Sequence, residues 1–251
     1  MSNTLERNSD LVSKFYYGDI DLRDNYLEFE NIKIMLREHG GLLKYLREGI
    51  SRVEKYVAYS PDARLLINPV EPVNLPKPLT NYILLELSEP VTVGPSSTVK
   101  TYLTFPVEIG VFIISKKTSE LLDVFSLVSQ KYTLYGTPRD GVICRYWQTK
   151  ISTEVPEVNP LREGVLKLEI SNNSEYWVTI KNLVFNVNGI NIYYDDKYVS
   201  ASAQVLTFSQ NYAETSFTDE PLRDGMIKSL TTRAQRSLPM IKEKFVMEWG
   251  L

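Results

Sequence analysis

The sequence predicts an all-β protein: two tandem immunoglobulin-like β-sandwich domains, mostly antiparallel, closed by a short C-terminal helix and a final strand. Three observations carry this expectation. Short runs of alternating apolar and polar residues follow one another along the chain, separated by turn-forming residues, as in sandwiches. Sixteen tyrosines stand against one histidine and one cysteine, and Tyr, Val, Ile and Thr are strand formers. Two stretches, "PVNLPKPLTNYILLELSEPVTV" and "EVNPLREGVLKLEISNNSEYWV", resemble each other, each leading from a proline-bearing connection into a strand that turns back. The predicted domains are 1–118 and 119–251, with the join within 116–121.

Taken in order, the chain has a loose start to about residue 10, then "LVSKFYYG", ending at Gly18. "NYLEFENIKIMLRE" alternates Ile32, Ile34 and Leu36 before "HGG", a hairpin signal. In "GLLKYLREGISRVEKYVAY", Leu42, Leu46, Val53 and Val57 would share a helical face, but Gly49 would sit inside that helix; the reading here is strand. The proline-dense "INPVEPVNLPKP" lacks the amide donors of a paired central strand and reads as a stiff connection. "TNYILLELSEP" and "STVKTYLTFPVEIGVFIIS" are strands about the turn "GPSS". "LLDVFSLVSQ", "KYTLYG", the turn "TPRDG" and "VICRYWQTK" follow, then a second proline connection, "STEVPEVNPLRE". Residues 164–218 form a chain of hairpins with NNS, NG and DDK as turns. In the basic tail, Met226, Leu230 and Leu238 fall on one helical stripe ended by Pro239, and "KFVMEW" alternates as a closing strand.

The phrase "PLREG" at 160–164 returns as "PLRDG" at 221–225. Both copies fall at element boundaries, where Pro and an acid–Gly step supply turn geometry, so the repeat is read as the same turn made twice, with Arg162 and Arg223 free to pair with nearby acids.

Composition narrows the function. Twenty-eight Lys and Arg against 31 Asp and Glu, a net charge of -3, provide no basic excess for nucleic acid. The start "MSNTLERNSD" lacks a secretory signal's basic and apolar regions, and the apolar runs are of strand length, so a cytoplasmic protein without membrane insertion is expected. With only His39 and Cys144, no metal site, cofactor or catalytic residue is assigned. His39 reads as an exposed hairpin residue, Cys144 as a buried thiol, and Asp195–Asp196 as a hairpin tip.

The segment with the strongest binding chemistry is "QKYTLYGTPRDGVICRYW". Lys131, Tyr132, Tyr135, Arg139, Arg145 and Trp147 gather on one hairpin and are the candidate partner-binding residues, since Tyr, Trp and Arg are enriched at hot spots. Alternation puts Ile143, Arg145 and Trp147 on one face, where Arg145 would stack beside an exposed Trp147.

Through "RLLINPVEPVNLP", "FPVEIGVFI", "LDVFSLVSQKYTLYGTPRDGVICRYW", "EVNPLREGVLKLEI" and "MEWGL", the chain resembles an archaeal family known as domain of unknown function 432, from about residue 15 to the end. The resemblance implies no activity, cofactor or catalytic residue. It implies genes kept in company with small mechanosensitive channels, and hence a membrane-protein partner. The leading expectation is a non-enzymatic module that binds another protein. A carbohydrate- or small-ligand-binding module using the Tyr/Trp-rich hairpin is the alternative, and a hydrolase with carboxylate chemistry stands last.

Overall fold

A computed structural model describes residues 17–22, 25–77, 79–232 and 244–251. Strands dominate throughout, and the only helical element among these residues is a 3-10 turn, Val187–Gly189. The chain divides into two compact units. The first holds the described residues up to Ile67 together with Val111–Asp123; the second holds those of Asn68–Gly110 and Val124–Leu251.

In the first unit, β1 (Gly18–Ile20) pairs antiparallel with β6 (Arg64–Val70). Strands β2 (Asn25–Phe29), β3 (Ile32–His39), β4 (Leu42–Glu48) and β5 (Val53–Val57) form an antiparallel meander. The run 25–38 is thus two strands, hinged at Glu30 with φ 53°. Residues 42–57 are strands, as expected, and Gly49 is the reason: at φ 144° it makes a turn, and a Cβ there would come 2.9 Å from the Asn31 carbonyl oxygen. Ile32, Ile34 and Leu36 of β3 point into the core with Leu43 and Tyr45 of β4. Arg47 joins that inner face, where its Nε lies 2.5 Å from Asp123 Oδ2 of β10 (Ser119–Phe125) and Tyr45 donates its hydroxyl to the same oxygen at 2.9 Å. β9 (Glu108–Ile114) completes a sheet of order β1-β6-β9-β10.

The proline connection needs a correction: Asn68, Pro69 and Val70 belong to β6. β1 pairs only with Leu65, Leu66 and Ile67, so Pro69 lies past the end of that ladder, where a missing amide leaves no β1 bond unmade.

The second unit is a two-layer sandwich. One sheet has the order β11 (Tyr132–Tyr135), β12 (Val142–Thr149), β7 (Tyr82–Val93), β14 (Val178–Asn186). The other runs β18 (Ile227–Lys228), β15 (Tyr193–Tyr194), β16 (Val199–Thr207), β13 (Glu163–Asn172), β8 (Thr98–Pro106), with β17 (Ala213–Thr218) also on β16 and β19 (Phe245–Met247) on β17. Pairing is mainly antiparallel, but β12–β7 and β13–β16 are parallel. Ile83 and Leu85 of β7, Phe105 of β8, Leu166 of β13 and Phe217 of β17 meet around a small apolar cavity between the sheets.

These units do not follow a cut at 118/119. β7 and β8, from before that point, pair with β14 and β13, from after it. The two similar sequence stretches therefore build one object: the first ends with β7 in one sheet, the second holds β13 of the other sheet and reaches the start of β14, which pairs with β7. β7 also runs unbroken through "SEP" to Val93 instead of turning back there.

The C-terminal expectations divide. Ile227–Lys228 is strand, paired with β15, and Ser229–Thr232 is not helical; the rest of the expected helix, 233–238, lies outside the described residues. The closing strand is present as β19. No helix among the described residues is long and apolar enough to cross a membrane.

Candidate functional site

The hairpin β11–β12 forms as the sequence predicts, but its side chains do not make an open platform. Tyr135 is buried; its hydroxyl donates to the Gly250 carbonyl at 2.9 Å and accepts from Trp249 N at 3.2 Å. Trp147 is half-buried, with Nε1 donating to Thr104 Oγ1 at 3.1 Å. Tyr132 is half-buried and its hydroxyl donates to the Leu75 carbonyl. Arg145 is completely buried at 0% exposure, which overturns the expected exposed Arg145–Trp147 pair. The cause is its position on a strand with neighbours on both sides, directly opposite Tyr132, whose ring lies 5.7 Å from the guanidinium. Only Lys131 and Arg139 reach solvent freely, Arg139 with 91% of its side chain exposed.

Other sequence readings hold. Cys144 is a buried free thiol, pushed up to about 12 by burial. His39 is exposed at the end of β3. The two "PLR" phrases are turns, the first closed by Asn159, whose carbonyl accepts from Arg162 N at 2.9 Å. In the second, Arg223 reaches Asp195 at 2.6 Å and Asp196 at 3.5 Å, so the acidic pair is a tip clamped by the repeated arginine. Burial opposes the Asp195 charge, but hydrogen bonds from Arg223, Lys197 N and Tyr198 N outweigh it and hold the carboxyl below its usual range.

The most exposed aromatic surface lies elsewhere, at one end of the second unit. β13 and β16 run parallel and end together, Asn172 opposite Thr207. The turns that follow carry Tyr176 and Trp177, 59% and 67% exposed, and Phe208, also exposed. Phe208 meets Tyr212 edge-on at 5.7 Å across its turn. Buried Asn172 ties this end together. Its amide nitrogen donates to the carbonyls of Val93, Gly94 and Tyr176 at 3.0, 3.0 and 2.8 Å. Its oxygen accepts from Ser174 N, Ser174 Oγ and Thr207 Oγ1 at 3.0, 2.7 and 3.0 Å. Three turns are thereby fixed to one side chain. Trp177 in turn lies on Gly94, where a Cβ would come 3.2 Å from two atoms of its ring. Among 94–97, 173–177 and 208–212 the one charged residue is Glu175. The sequence did hold a signal: adjacent Tyr176 and Trp177 cannot both face a core from one strand.

A second feature, also in this unit, escaped the sequence reading. Glu108, at the start of β9, is completely buried. Its Oε2 accepts from Asn74 N at 3.0 Å, while its Oε1 has no hydrogen-bond partner, and the Nε and Nη1 of buried Arg145 have none either. Burial raises the Glu108 carboxyl to about 7, against the amides of Asn74 and Leu75 and the charge of Arg145. Burial likewise pulls the Arg145 guanidinium down, opposed by Tyr132 and Glu108.

Fold and surface define an all-β, sandwich-like protein whose exposed rings are borne on turns at one end. The chain belongs to the family described as protein of unknown function DUF432, whose model matches residues 16–248. No curated protein and no solved structure matches it.

Proposed function

We propose that the protein is a non-enzymatic cytoplasmic module that binds another protein through the aromatic end of its second unit. The observation that supports this most is Trp177, two-thirds exposed yet seated on Gly94 beside turns fixed by Asn172. An exposed indole held in place loses little freedom on binding, and Trp and Tyr dominate interface hot spots. The surrounding Ser, Asn and Gln residues supply adaptable hydrogen bonds, a combination used by binding loops at the ends of immunoglobulin-like sandwiches.

A neutral glycan is the second reading, favoured by the same rings standing among hydroxyl and amide side chains with a single charge. It moves the expected ligand platform from hairpin 130–147 to the turns at 173–177 and 208–212.

The test is affinity capture with the full chain from native cells, comparing wild type with a Tyr176→Ser/Trp177→Ala double variant. Loss of a specific protein by tenfold or more (about 1.4 kcal/mol or more), with an unchanged melting temperature, supports the protein reading. Unchanged capture overturns it. Capture abolished by soluble neutral oligosaccharides transfers the surface to glycan binding.

A further inference from the structure

The outer face of the meander in the first unit carries a cleft built from two adjacent cross-strand pairs. Met35 of β3 lies opposite Leu46 of β4, and Arg37 lies opposite Lys44. Alternation sends Ile34, Leu36, Leu43 and Tyr45 into the core and these four outward. The four line a cavity of about 130 Å³, with an apolar pair beside a cationic pair.

Like charges directly opposite each other on neighbouring strands repel, and an anion between them relieves the repulsion. Lys44 is steadied from β5, its Nζ 2.8 Å from Glu54 Oε1 and 5.5 Å from the centre of the Tyr56 ring. Glu54 is shared, since Arg52 and Tyr56 also donate to its carboxylate, at 2.8 and 3.1 Å. An ammonium has three protons to donate, so Lys44 can keep Glu54 and still meet a second anion. Arg37 is exposed and, among the described residues, has no ion pair. Its fork of donors suits a carboxylate. Size decides what can enter: small-molecule pockets start at about 300 Å³, so a cavity of less than half that volume takes one side chain and not a whole ligand. The Met35–Leu46 half calls for methylenes beside the charge, which a glutamate has and a phosphate lacks.

We propose that this cleft receives a glutamate side chain from an acidic segment of a partner protein. The carboxylate lies between Arg37 and Lys44, and the two methylenes rest on Met35 and Leu46. Tyr26 of β2, opposite Met35, and Tyr56 of β5, opposite Lys44, are 50% and 51% exposed and flank the cleft. Tyrosines beside an arginine are the residue types that anchor protein partners. The site belongs to the first unit and does not rest on the aromatic turns of the second. An exposed charge pairing is weak by itself and screened by salt, so the contact anchors one residue of a larger interface.

Amide NMR spectra of the intact, isotope-labelled chain test the site with a capped alanine–glutamate–alanine peptide raised to millimolar concentration. The signals of residues 35–37 and 44–46 should shift and saturate, and added salt should weaken the binding. The same peptide with glutamine in place of glutamate, or Arg37→Gln in the protein, should bind about tenfold or more weakly. Arg37 is exposed, so its replacement leaves the fold intact. No saturable shift, or equal binding of the glutamine peptide, overturns the proposal. Equal or tighter binding of inorganic phosphate overturns it too, by making the cleft a general anion site. Self-association of the wild-type chain that Arg37→Gln abolishes overturns it in favour of a second copy as the occupant.

Discussion

Arg139 and Arg145 belong to one hairpin but to opposite environments, and the difference sets what each can do. Among the described residues, Arg139 pairs with its neighbour Asp140, at 3.9 Å, on a solvent-exposed turn. Its replacement by alanine should move stability by no more than about 0.5 kcal/mol. Arg145 is buried, with Nη2 donating to the Ser129 carbonyl at 3.3 Å and Tyr132 across its guanidinium. Arg145→Ala leaves a cavity and a carbonyl without its donor, and should cost ~3 kcal/mol or more in urea denaturation. Equal effects of the two variants would show that Arg145 is not buried as described. Glu108 carries a pH dependence of definite sign. Its carboxyl is raised from 4.5 to about 7 in the folded chain, so the folded state binds the proton more tightly than the unfolded. The stabilisation is full below the unfolded value and is lost as pH rises through the folded one, a change of roughly 3 kcal/mol. Urea titrations across this window should show that decline in wild type relative to Glu108→Gln; parallel profiles would contradict it.

At the scale of elements, the sequence was most legible where alternation and turn chemistry act locally. Ile32, Ile34 and Leu36 placed β3 correctly, "TPRDG" placed the β11–β12 turn, and Gly49 excluded a helix across 42–58. Burial of a face was not legible, because it depends on what covers the strand. Ile143 and Arg145 share a face by alternation, yet Ile143 is exposed and Arg145 enclosed. A clue to the polar cluster did exist: Glu108 is a lone acid within the apolar run "FPVEIGVFII", and a buried charge needs a compensating environment. Side-chain ties between elements were equally hidden. Arg47 of β4 and Asp123 of β10 form a nearly buried ion pair far apart in sequence. Removing one member leaves the other charged and enclosed, so Asp123→Ala should lower stability by about 3–5 kcal/mol. Equilibrium unfolding that shows a loss below about 1 kcal/mol, the range of surface pairs, would contradict this.

At the scale of the whole chain, the weak internal match was real as sequence but misleading as domain organisation. Similar stretches suggest tandem copies when each can bury its own strands; here their strands, β7 and β13, lie in the two sheets of one unit. β8 finds its sheet partner in β13, and β7 finds its partners in β12 and β14. A fragment ending at 118 would carry β7 and β8 with none of these ladders, exposing rows of unpaired backbone groups and the apolar side chains of Ile83, Leu85, Leu103 and Phe105. The complementary fragment, 119–251, would lack the central strand of the four-stranded sheet, because β12 and β14 are joined only through β7. Neither fragment should therefore fold alone as a sandwich. Expressed alone, 119–251 should show no cooperative thermal transition, whereas co-expression with 1–118 should restore one. A fragment of 119–251 that melts cooperatively would show that the second half has its own core, and would return the chain to a tandem plan.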